Sequence, residues 1–124
     1  MNNPSDPNSV MQMSSSTVIA VNLSGSNQKF SLTLNGTQKL AGICIVASGD
    51  QPVTDIVSTV DMGQIAYIAR GNQSSANIAF ESAQPDAAFI DLKGNAHTLN
   101  FLGVDTSFCA YITNYKSSSV VTCK

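Results

Sequence analysis

Short alternating runs of apolar residues, cut at close intervals by turn residues, constrain this chain more than any other feature. Residues 17–23 (TVIAVNL) place Ile19, Val21 and Leu23 on one face, and 28–34 (QKFSLTL) do the same with Phe30, Leu32 and Leu34. A period of two is the period of a strand. Asn35-Gly36 follows at once, a strong hairpin signal because both central residues of a tight two-residue turn need positive φ. Residues 40–47 (LAGICIVA) are apolar on both faces, as expected of a strand buried in mid-sandwich. Gly49, Asp50 and Pro52 break that run. Extended patterns resume over 53–60, 64–70 (after a Met62-Gly63 turn), 77–81, 87–92 and 97–102. Residues 108–115 and 119–123 then face each other across a Lys116-Ser117-Ser118 bend. Helical periodicity has a weak case only over 72–83.

About eight to ten short strands spaced at roughly 8–12 residues read as an all-β fold. The expectation is a single-domain antiparallel β-sandwich, jelly-roll-like, over residues 17–124, preceded by a polar N-terminal arm over 1–16. A chain of 124 residues can bury a core without metals or extra cross-links. It shows no internal repeat, and its eight glycines stand singly, so no phosphate cradle is formed.

Charged residues are 11% of the chain, against about a quarter in an average soluble protein. Ser, Asn, Thr and Gln supply the polarity instead. With a net charge of −2 and an isolated Arg70, the chain lacks the basic field that direct nucleic-acid binding requires. No run approaches the roughly 20 apolar residues of a membrane-spanning segment. The opening MNNPSDPNSVMQMSSS has neither the basic region nor the apolar run of a secretory leader. Synthesis in a cytoplasm, with Met1 kept, is the expected origin. Asn2, Asn3, Pro4 and Pro7 resist both helix and ladder; with Val10, Met11 and Met13 they form a candidate subunit-contact arm.

The residues that could carry chemistry do not assemble into a signature. Cys109 and Cys123 flank the last expected hairpin symmetrically, which allows a cross-strand disulfide and equally allows two free thiols. Cys44, in the most apolar run, is expected in the core. The three cysteine positions match no zinc pattern, and one histidine adds too little. His97 with Asp91 and some serine could be written as a hydrolytic triad, but no local pattern sets a serine on a sharp turn. The carboxylates fall at expected strand ends, where Asp serves turns. Neither a cofactor nor a metal is expected, and the chain is read as a non-enzyme.

The stretch 42–105 resembles a family of small structural proteins of bacteriophage virions. Those proteins run as a strand of the form CIYIDN, a gap, a TV-rich strand and G-x-G-Q-x-I. A small-residue turn, a strand with a proline and an aromatic, a glycine hairpin and a closing F-L-N-V follow. Here stand Ile43-Cys44-Ile45-Val46-Ala47, then residues 53–60, Met62-Gly63-Gln64-Ile65, Arg70-Gly71-Asn72-Gln73, Pro85 with Phe89, Gly94-Asn95 and Phe101-Leu102-Gly103-Val104. The opening Met1-Asn2-Asn3-Pro4 resembles the start of the vertex members of that group. The match covers about half the chain; Ser48-Gly49-Asp50 replaces the family's DN pair, and 107–124 extends past its end.

The resemblance implies a jelly roll and a capsid vertex (penton) or decoration component. It would self-associate into a homo-oligomeric ring, a pentamer or trimer, and dock on other capsid proteins in a virion made in a host cytoplasm. The alternative is an extracellular or surface adhesin, a pilin-like β-domain that binds a receptor or glycan.

Overall fold

The structure, a computed structural model, describes residues 14–124. Ten strands follow in order: β1 (Val18–Leu23), β2 (Lys29–Leu34), β3 (Leu40–Ala47), β4 (Val53–Ser58), β5 (Met62–Ala69), β6 (Ser75–Phe80), β7 (Pro85–Leu92), β8 (Thr98–Leu102), β9 (Ile112–Thr113) and β10 (Val120–Cys123). A 3₁₀ turn over Thr106–Tyr111 precedes β9. Most strands start and stop within two residues of the ranges read from the sequence. The exception is the expected strand over 108–115, half of which is the 3₁₀ turn and only Ile112–Thr113 of which is strand.

Their arrangement overturns the antiparallel jelly roll. Every strand pair is parallel. Odd-numbered strands form one five-stranded sheet in the order β1-β3-β5-β7-β9, and even-numbered strands form the other as β2-β4-β6-β8-β10. The chain is therefore a β-solenoid of about five turns, each turn giving one strand to each sheet. Consecutive strands never pair with each other. Asn35-Gly36 accordingly lies in a corner that carries the chain from one sheet to the other, and so does the 116–118 bend. Alternation cannot separate the two folds, because a hairpin strand and a solenoid strand bury one face in the same way.

The repeat is real and shows in register. Val18 pairs with Gly42, Leu40 with Met62, Met62 with Pro85 and Ile90 with Ile112. A turn therefore takes 22 to 24 residues. Stacking neighbours supply each turn's missing contacts, as in other solenoids.

One set of corners explains the spacing of four glycines. Gly25, Gly49, Gly71 and Gly94 stack directly on one another. A Cβ on Gly49 would lie 2.2 Å from the Gly25 carbonyl oxygen, and on Gly71 or Gly94 it would lie 2.1 Å from the carbonyl below. Two positions after each, Asn27, Gln51, Gln73 and Ala96 take φ of 60°, 58°, 58° and 59°. The corner is thus a glycine held against backbone, then a polar residue, then a left-handed residue that turns the chain.

Between the sheets, like residues stack in columns. One runs Val21, Ile45, Tyr67, Ile90 and Ile112, facing another of Leu32, Ile56, Ile78, Phe101 and Cys123. Ile45, Ile56, Tyr67, Ile78, Ile90 and Phe101 are fully buried. The C-terminal end is closed by the 3₁₀ turn, whose Phe108 packs on the core and whose Cys109 is bonded to Cys123 of β10. At the other end, Ile19, Val21, Phe30 and Leu32 of the first turn are only partly buried.

Asn2, Asn3, Pro4, Pro7, Val10, Met11 and Met13 of the expected contact arm lie outside the described residues. Of that arm, Ser14–Ser16 enter the description as part of a turn in which the Thr17 amide donates to the Ser14 carbonyl at 3.0 Å.

Candidate binding surface

His97 and Ser74 are the one serine–histidine pair whose geometry invites a catalytic reading. Both occupy the position that follows the left-handed corner residue, in successive turns, so stacking brings them together. The Ser74 amide donates to His97 Nδ1 at 3.1 Å, and the Ser74 hydroxyl lies 2.7 Å from the same nitrogen. That fixes the ring with its proton on Nε2, which donates to the Lys93 carbonyl. Ser74 is 2% exposed and His97 1%. A substrate cannot reach either atom. The pair holds a corner shut.

Asp91, the third member of the written triad, is elsewhere. It stands on the outer side of the first sheet, where Oδ2 accepts from Arg70 at 3.0 Å and Oδ1 accepts from Asn114 Nδ2 at 2.9 Å. Below the His97 corner, the Tyr67 hydroxyl sits in the core near Thr54 and Ser74. Neither it nor the Thr54 hydroxyl makes a hydrogen bond among the described residues. Burial pushes the Tyr67 pKa up, against a smaller pull from the neighbouring hydroxyls. These are core polar groups and not a site.

The cysteines divide. Cys109 and Cys123 are bonded, with Cα atoms 5.9 Å apart. The bond ties the 3₁₀ turn to a strand of the even-numbered sheet, and no hairpin joins them. Cys44 is a free thiol at intermediate burial. It is not in the core: Ile43 and Ile45 point inward, so Cys44 between them lies on the outer face of its sheet. Its apolar neighbours in β3 reflect a strand that is apolar on both faces, which the sequence could show, without saying that the outer face stays uncovered.

That outer face is the surface with the most unusual chemistry. In the first sheet the outward column Ala20, Cys44, Ala66 and Phe89 runs across four turns. Tyr111, which precedes the Ile112 that pairs with Ile90, takes the next position. Phe89 is 48% exposed, Tyr111 55% and Val18 60%. Two shallow hollows lie on this face. One, of about 310 Å³, is lined by Ala20, Val21, Asn22, Cys44 and Val46. The other, of about 120 Å³, lies over Gly42 and Cys44 between Val18 and Gln64. The even-numbered sheet is more polar along its central outer column, Ser31, Asp55, Asn77, Asn100 and Thr122, with an Asn77–Asp55 hydrogen bond of 3.0 Å, while Val53 and Val120 are exposed in the column beside it.

Among the described residues, no three His, Cys, Asp or Glu side chains gather as metal ligands, and no helix is long and apolar enough to cross a membrane. The chain matches no protein-family model, no curated protein and no solved structure.

Proposed function

We propose that this chain is a structural module that works by self-association and does not catalyse a reaction. The observation that carries this is the apolar outer face of the odd-numbered sheet, with its exposed Phe89 and Tyr111 and its hollows around Cys44. Sheet faces turned to water are ordinarily polar, as the central outer column of the even-numbered sheet is, and an exposed apolar patch with aromatic side chains marks an interaction surface. The coarse form of the virion-component reading, a protein whose task is assembly, fits this surface. Its finer form, a jelly-roll vertex ring, rested on a fold the chain does not have and is withdrawn with it.

The adhesin reading is favoured by a different observation. The Cys109–Cys123 bond belongs to oxidising surroundings, and a surface protein lives in them. A finished virion does too, so the bond points outside the cell without choosing between the two.

Light scattering of the purified chain over a range of concentrations, without reductant, tests the proposal. A discrete homo-oligomer is the expected result. A monomer at every concentration would overturn self-association, and glycan or receptor binding by that monomer would establish the adhesin in its place.

A further inference from the structure

We infer that two copies of this chain pack face to face through the outer side of the odd-numbered sheet, about a two-fold axis that lies between them, parallel to the strands and over Ala66. This rests on the self-association proposed above and names its partner and its surface.

The outward column is small at one end and large at the other. Ala20 and Cys44 occupy the first two turns, Phe89 and Tyr111 the last two, and Ala66 the middle one. Successive turns are about 4.8 Å apart, so Cys44 and Phe89 stand one step either side of Ala66, and Ala20 and Tyr111 two steps. A two-fold axis lying in the interface over Ala66, parallel to the strands, turns the second copy's face toward the first and exchanges those positions. It lays Phe89 of each copy over Cys44 of the other, and Tyr111 over Ala20. Knob and hollow then meet twice, which is what an isologous interface demands of a single surface.

The sizes agree. An apolar cavity of about 150 Å³ accommodates benzene, and the hollow beside Ala20 and Cys44 offers about 310 Å³. Charge does not oppose the match. Across this column and its two neighbours the strand positions carry one charged side chain, Asp91, and it is already paired with Arg70. Four strands of six to eight residues and the two-residue β9 present a flat area of roughly 450 Å² per copy, about 900 Å² for the pair, just under the usual lower bound for a specific interface. An interface of that size predicts a reversible dimer that concentration controls.

Cys44, the free cysteine among the described residues, reports on the face directly. The experiment measures native mass by sedimentation velocity and the rate at which a small thiol reagent modifies Cys44, both against protein concentration without reductant. The unaltered chain, Phe89→Ser and the hollow-filling Cys44→Phe are compared, with circular dichroism to confirm that each variant is folded. The expected result is a dimer whose Cys44 becomes protected as concentration rises. In Phe89→Ser the dimer weakens roughly 30-fold, as for loss of an aromatic hot spot, and protection goes with it. Cys44→Phe is folded and monomeric.

An oligomer that persists in both variants, with Cys44 equally reactive at every concentration in the unaltered chain and in Phe89→Ser, overturns this face and leaves self-association standing. A monomer at all concentrations overturns both. Cys44 protection that is independent of concentration, in a chain of monomer mass, overturns the second copy as occupant and assigns the cover to the chain's own residues.

Discussion

Tyr67 sits at the centre of the core with a hydroxyl that no described residue satisfies. An orphaned buried hydroxyl costs about 1–3 kcal/mol, so Tyr67→Phe should stabilise the fold by about 1 kcal/mol in chemical denaturation. The same burial raises the Tyr67 pKa above 10.0. The unfolded chain then gives up that proton before the folded one does. The contribution is complete below pH 10 and is lost as pH rises through the folded value. Tyr67→Phe should therefore flatten the alkaline fall in stability relative to the unaltered chain, and an unchanged slope would reject the assignment. The corner residues carry a sharper demand. Gly71→Ala drives a methyl to 2.1 Å from the Gly49 carbonyl and should cost about 2 kcal/mol or more. At Ala96, with φ of 59°, the left-handed conformation is strained for alanine but tolerated by asparagine. Ala96→Asn should raise the melting temperature, by about 1 kcal/mol of stability.

At the scale of elements, the strands were legible and their partners were not. Alternation of Phe30 with Ser31 and Leu32 marks a strand wherever its neighbour comes from. Asn35-Gly36 showed the sequence's bias toward a two-residue hairpin, yet the chain uses it as a corner between sheets. The glycines that looked scattered are one ladder, hidden because Gly25-Ser26-Asn27, Gly49-Asp50-Gln51, Gly71-Asn72-Gln73 and Gly94-Asn95-Ala96 share a conformation more than an identity. Polar side chains bind these corners from turn to turn: Asp50 accepts from the Asn72 amide at 3.1 Å, and Asn72 from the Asn95 amide at 3.0 Å. The C-terminal cap is held by the Cys109–Cys123 bond across a separation of 14 residues. Closing a loop of that size in the unfolded chain is worth about 3 kcal/mol in the chain-entropy account. Cys109→Ser should lower stability by about that amount in urea unfolding, while leaving the turns bounded by β1 to β8 folded.

The whole molecule is quasi-one-dimensional, each turn touching only its neighbours across the sheets. Met62 and Pro85 occupy equivalent positions one turn apart. Removing residues 63–85 should therefore yield a folded four-turn protein with its inner columns in register. Removing half as many, 63–74, would feed one sheet's strand into the other and should abolish the cooperative melt. Circular dichroism of the two deletions distinguishes a solenoid from any sandwich, which would tolerate neither. The outer face belongs to this scale as well. No single strand reveals it, since Ala20, Cys44, Ala66 and Phe89 are dispersed over about seventy positions of sequence and meet only by stacking.

By itself the sequence determined that the chain is all-β, where nearly every strand lies and, in the alternating strands β1 and β2, which side chains face inward. Those follow from local period and turn chemistry, which every few residues restate. Only the tertiary structure decided that strands pair with their second neighbours, that His97 is sealed beside Ser74 while Asp91 faces Arg70, and that Cys44 looks outward. Those depend on which distant residues share a register. A period-two pattern fixes a strand's inner face but is silent on the neighbour that will lie beside it.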